Sequence, residues 1–205
     1  MEFLAINLIK LRKWVGITQE QLAENLGIGV TTVNNIETGY VTAPPGKLLE
    51  KIAALFNTSV DGLMGKNSLE IGERARLIYV VSSIDAKTAL IEKSKIVDGI
   101  FMDRDKLRGY DWFGLKIRDN ALSGEGILSG YTAIVRMGSN VKNNDIVVAA
   151  VEENEEAIVR IYQKRGDIVT LKVKNDSGFY RDISVDIRKD SLKIIGKVEK
   201  CEFEL

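Results

Sequence analysis

Residues 18–39, TQEQLAENLGIGVTTVNNIETG (Thr18 to Gly39), decide the fold of the first third of this chain. Thr18 stands where its side chain can cap a helix, and Gln21, three residues on, can return the bond to the Thr18 backbone. The spacing predicts a helix over Gln19 to Asn25, a break at Leu26-Gly27-Ile28-Gly29, and a further helix over Thr31 to Thr38 that Gly39 ends as a left-handed cap. Val33 and Ile36 then share one buried face, which leaves Thr31, Asn34 and Asn35 on the other.

The pattern extends on both sides. Leu4, Leu8, Leu11 and Val15 recur at helical spacing until Gly16 stops them. Pro44-Pro45 opens a fourth helix carrying Leu49, Ile52, Ala53 and Phe56, and Ser59 can cap a last short one ending at Leu63. Five helices therefore make a compact bundle over residues 1–66. Residues 67–77 are polar, glycine-bearing and weakly patterned, and read as a linker. Beyond them, Ile78 to Ser82, Gly114 to Ile117, Tyr131 to Val135, Asp145 to Val151, Ala157 to Gln163, Ile168 to Lys174 and Leu192 to Val198 are β-branched segments between turn residues. The expected fold class is α + β with two domains, the second, 78–205, mostly β.

Composition narrows the chemistry. The chain has no histidine and one cysteine, Cys201, which excludes disulfide frameworks, Cys/His zinc sites and any mechanism with a histidine base. Cys201 reads as a small packing residue. No cofactor or metal is expected. Nor does any apolar run approach a membrane span, and the N-terminus lacks a signal-peptide pattern, so a cytoplasmic location is expected. Lys+Arg and Asp+Glu are both 29, and residues 1–66 are also balanced. Bulk positive charge cannot drive nucleic-acid binding here, so any such contact must come from a local patch.

The stretch 18–39, with Ala23 at a close helix crossing, the turn at Leu26-Gly27, buried Val33 and Ile36, and the Glu37-x-Gly39 ending, resembles the helix-turn-helix of Cro/Xre-type repressors over residues 4–64. The resemblance implies that the third helix enters the major groove of double-stranded operator DNA. The candidate readers are then Gly29, Val30, Thr31, Asn34 and Asn35. Asn34 and Asn35 suit adenine and Val30 suits a thymine methyl, which points to an A·T-leaning operator. Asn35 also reads as a solvated helix residue. Gln19, at the start of the second helix, Tyr40 and Lys47 are candidate phosphate contacts. In the proteins this chain resembles, an arginine before the motif pairs with the glutamate ending the third helix, so Arg12 and Glu37 are assigned a structural pairing.

Residues 115–135, LKIRDNALSGEGILSGYTAIV, resemble the LexA-type self-cleaving repressors and their phage relatives. There a serine attacks a peptide bond of its own chain and a buried, neutral lysine takes its proton. Here the serine position is Ala121 and the lysine position is Arg160, or Val159 if the alignment slips by one. Neither residue can act, since arginine stays charged and valine accepts no proton. Lys164, about 13 Å along the strand, is too far to substitute. The family's cleavage segment corresponds to Ile78 to Lys87, with Ala86-Lys87 in place of the usual Ala-Gly or Cys-Gly bond, and Tyr131 stands in place of an aspartate. Asp119, Asn120 and Ser123 read as turn residues.

The resemblance implies a prophage-type transcriptional repressor, a homodimer through its C-terminal domain with a tetramer left open, that does not cleave itself and is released by an antirepressor or other protein partner. The alternative is a self-cleaving SOS-type repressor whose serine was mutated to Ala121. A ligand-binding regulator has no phosphate loop or metal cluster to support it.

Overall fold

The computed structural model describes residues 3–138, 140–151 and 154–203. The chain divides into two compact units, one of residues 1–79 with 97–108, the other of 80–96 with 109–205.

The first unit opens with α1 (Phe3–Val15), α2 (Gln19–Leu26), α3 (Val30–Glu37), α4 (Gly46–Leu55) and α5 (Val60–Leu63). Each starts and stops for local reasons. Thr18 accepts from the Gln21 N–H at 3.2 Å while its own N–H donates to the Gln21 side chain at 2.9 Å, a reciprocal cap on α2. Gly27 ends α2 at φ +66°, a left-handed turn that a side chain would strain. Ser59 caps α5 through the Gly62 N–H at 2.9 Å. The apolar faces close on Leu8, Leu11, Leu22, Val33, Ile36, Ile52 and Leu63, all essentially inaccessible.

Residues 67–77 are not a linker. They carry β1 (Glu70–Ile71) and the start of β2 (Ala75–Val81), and Leu69 and Leu77 are buried in the same core as the helices. The reason is that two leucines among polar residues suffice to dock a short antiparallel pair, Glu70 opposite Arg76 and Ile71 opposite Ala75. The unit is completed by most of β3 (Ile96–Asp103), which pairs with β2. Trp14 of α1 packs on Phe101 with ring centroids 5.1 Å apart, and Lys10 bridges Asp98 at 2.7 Å. Asn7, fully buried in α1, donates to the Gly62 and Leu63 carbonyls at 3.1 and 2.9 Å and accepts from the Tyr79 hydroxyl at 3.2 Å. One amide thus satisfies the carbonyl end of α5 and ties β2 to the bundle. Burial pushes the Tyr79 phenol above its ordinary pKa.

In the second unit the last residues of β2 run parallel to β4 (Trp112–Lys116), Val80 opposite Gly114. Next come β5 (Thr132–Met137), β6 (Ile146–Val151), β7 (Ile158–Arg165), β8 (Ile168–Lys172), β9 (Ile183–Asp186) and β10 (Leu192–Glu202). Their spatial order is β2-β4-β5-β10-β6-β7-β8-β9, antiparallel after β4. The long β10 pairs with β6 at its start and β5 at its end, its register shifting near Gly196. A Cβ there would lie 2.4 Å from the Arg136 carbonyl oxygen, so the crossing of partners requires glycine. Val147, Ala149, Tyr162, Val169, Leu171 and Val185 form an apolar cluster on β6 to β9. The domain is mostly β, with β9 added to the strands expected from sequence, while β1 and most of β3 join the first unit. Among the described residues no helix is long and apolar enough to cross a membrane.

Candidate functional site

Two groups of residues carry chemistry, one in each unit. In the first, α3 buries Val33 and Ile36 and turns its N-terminal end outward: Gly29, Val30, Thr31 and Asn34 are exposed, and Asn35 is half-buried. Gly29 caps this helix with no side-chain hydrogen bond, which leaves its first backbone N–H groups without a side-chain acceptor. The Asn35 carbonyl accepts from the Val41 N–H at 2.9 Å and fixes the loop after α3, where Tyr40 is 83% exposed. Lys47 lies exposed in the first turn of α4.

Behind α3, Glu37 is almost fully buried and fully answered. Arg12 donates from Nε to Oε1 at 2.7 Å and from Nη2 to Oε2 at 2.9 Å, and its Nη1 reaches the Ile17 carbonyl at 3.1 Å. This bidentate bond raises the guanidinium pKa further above its ordinary value. Gln19 joins the group, its Nε2 donating to Glu37 Oε2 at 2.7 Å. One amide N–H of Gln19 is therefore committed inward, a partner the sequence pattern did not reveal. Through Glu37, the side chains of α1, α2 and the end of α3 are fixed relative to one another.

In the second unit, Ala121 follows β4 on a turn and is fully buried. Arg160, on β7, is 6% exposed. Asp119 links the two positions. Its carboxylate accepts the Ala121 N–H at 3.1 Å and pairs with Arg160 Nη1 at 3.0 Å. Arg160 Nη1 also donates to the Val159 carbonyl at 2.7 Å, while its Nε is buried without a hydrogen-bond partner. Asp119 is thus more than the turn residue its sequence context indicated: the fold brings a distant cation to it. No local signal could have shown this, because the partner lies 41 positions away.

The Ala121 turn is held from outside as well. Asn175 donates to the Asn120 carbonyl at 2.7 Å and to Ser123 Oγ at 2.8 Å, and the Lys174 N–H donates to the Ala121 carbonyl at 2.8 Å. Ser123 is thereby engaged in the turn. Lys164 is exposed near the end of β7. Cys201 is half-buried on β10, and burial pushes its thiol pKa up. Tyr131 stacks on Phe203 with ring centroids 5.3 Å apart.

Across this region runs the segment after β2. Ser83, Ile84 and Ala86 are buried, Lys87 is exposed, and Asp85 forms an antiparallel bridge with Glu156. The Ala86 N–H donates to the Glu155 carbonyl at 3.0 Å and the Ala157 N–H to the Ile84 carbonyl at 2.8 Å.

Comparison with known proteins agrees with this arrangement. Residues 8–63 match the family described as Helix-turn-helix and residues 78–199 the family described as Peptidase S24-like. The chain is 33% identical to the LexA repressor of Geotalea uraniireducens over half of this chain and 49% of that protein. It is 28% identical to the LexA repressor of Lactobacillus acidophilus over 66% of this chain and 62% of that one. These two alignments thus span about half to three-fifths of their proteins. A longer alignment, with the LexA repressor of Thermotoga petrophila, is 30% identical over 82% of this chain and 83% of the relative. The chain therefore belongs to the peptidase S24-like family, in the LexA-like arrangement that sets a Cro/Xre-type helix-turn-helix before the peptidase-like domain.

Proposed function

We propose that the chain is a sequence-specific, operator-binding transcriptional repressor of prophage type that acts as a dimer and does not cleave itself. The observation that carries the DNA-binding reading is the outward face of α3, where Val30, Thr31 and Asn34 stand exposed on a helix whose other face is locked into the core. Such a helix can enter the major groove with its side chains already oriented. Gly29 leaves backbone N–H groups open toward phosphate, and Tyr40 and Lys47 stand exposed as further phosphate contacts. Asn35 reads base edges or supports the helix.

The non-cleaving reading rests on Ala121 and Arg160. Ala121 has no nucleophile, and Arg160 is a cation held by Asp119 that cannot accept a proton. Release from the operator then falls to a protein antirepressor or another partner. The test of the main reading is operator binding by Thr31→Ala and Asn34→Ala. Each is expected to weaken cognate binding by about 1–3 kcal/mol, with binding to random DNA nearly unchanged. Equal losses on both DNAs would remove α3 from the reading role.

A further inference from the structure

The groove beside Ala121 and Arg160 holds a peptide of its own chain although neither residue can cut one. Two features make that tenant replaceable. Residues 83–86 are held in the groove by one antiparallel bridge, with two backbone bonds, Ala86 N–H to Glu155 and Ala157 N–H to Ile84. They also fill it incompletely: a cavity of about 110 Å³ remains between Ser82 and Ser83 on one side and Leu115, Ile117, Asp119, Ile158 and Val159 on others.

We propose that this groove is a docking site for an extended, small-and-apolar peptide segment of a protein partner, and that residues 82–86 occupy it only in the partner's absence. The recognition chemistry follows from the present occupant. A partner strand adds antiparallel to residues 155–157, giving a carbonyl to the Ala157 N–H and an N–H to the Glu155 carbonyl, while its side chains take the seats of Ile84 and Ala86. An aliphatic residue where this chain has Ser83 fills the empty space and gives the partner its advantage. It needs that advantage, because the tethered segment competes at an effective concentration in the millimolar range. The proposal deepens the non-cleaving reading and rests on it.

The test uses the full chain labelled with nitrogen-15 and an unlabelled synthetic peptide of residues 80–90 carrying Ser83→Leu. Amide exchange is followed at two positions. Binding in the groove quickens exchange at Ala86, whose segment has left, while Ala157 stays protected because the peptide now supplies its acceptor. The unchanged peptide binds roughly tenfold more weakly. Loss of protection at both amides, no change at either, or equal binding of the two peptides each overturns the proposal. Intact mass separates this from failure of the reading beneath it. A chain split between Ala86 and Lys87 sinks the non-cleaving reading, whereas an intact chain that ignores the peptide sinks the docking site alone.

Discussion

Arg160 shows how a single side chain closes one chemical route. A general base must be able to shed its proton near neutrality, and guanidinium does not. Asp119 holds the guanidinium in place by an ion pair at 3.0 Å. Restoring the hydroxyl alone should therefore achieve nothing. The Ala121→Ser protein is expected to stay intact through long incubation at alkaline pH, as judged by intact mass. Ala121→Ser with Arg160→Lys supplies a hydroxyl and a lysine, and because a lysine must lose its proton to act as a base, any cleavage should rise with pH. Two fragments split near Ala86 from the single variant would mean that another group, Lys164 first among them, reaches the site. The sequence offered Ala121 and Arg160 as candidate positions from local pattern and from counting along one strand, and the structure brings Asp119 into contact with both. Asp119 and Asn175 were not legible. Both sit in turn-like surroundings where such residues ordinarily serve only the local backbone, and their roles come from partners 41 and 55 positions away.

At the level of elements, the helices were readable because their signals are short-range. Thr18 with Gln21, Gly27, Gly39 and Ser59 each mark a boundary within four residues of the bond they make. β3 and β9 were missed for the converse reason. Ile96–Asp103 is interrupted by Asp98 and Gly99, and Ile183–Asp186 is four residues long, so neither shows an alternation that outweighs its turn residues. The supposed linker failed likewise, because Leu69 and Leu77 are isolated apolar residues whose burial is decided by the bundle they meet. Leu69→Ala should thus cost about 2–5 kcal/mol in urea unfolding of the helical unit, a core-sized penalty. A loss near zero would return 67–77 to the status of linker. A second element-level expectation concerns Lys197 of β10 and Asp145 before β6, 2.8 Å apart. The Lys197 hydrogen bond holds the Asp145 carboxyl below its ordinary pKa, and the same bond holds the lysine above its own. A lowered carboxylate pKa stabilises the fold above the unfolded value and is lost as pH falls through the folded one; the raised lysine pKa is lost as pH rises through its folded value. Asp145→Asn should therefore be less stable than the parent between roughly pH 4 and 10, with the gap closing at both ends. A difference between the two melting curves that persists unchanged below pH 3 would show that the pair is not its source.

For the molecule as a whole, the decisive fact is its charge. With 29 basic and 29 acidic residues, and a helical region equally balanced, a single copy can neutralise few phosphates. Each phosphate contact contributes a slope near −0.9 in the dependence of log affinity on log salt, so few contacts mean both a shallow slope and weak binding. Pairing two copies would repair this without adding a single basic residue. Once one copy is bound, the second meets its half-site at an effective concentration set by the connection between them, which raises affinity by orders of magnitude. The full chain is accordingly expected to sediment as a dimer, or as a pair of dimers, and to bind a near-palindrome whose half-sites lie about one helical turn or a multiple apart. On an isolated half-site the same protein should bind far more weakly. Residues 1–79, which keep Leu69, Leu77 and Tyr79 with the helices, should sediment as a monomer and treat the two DNAs nearly alike. A dimeric 1–79 fragment would move the pairing surface into the helical unit. A full chain with equal affinity for one and two half-sites would remove the dimer from the proposed mechanism.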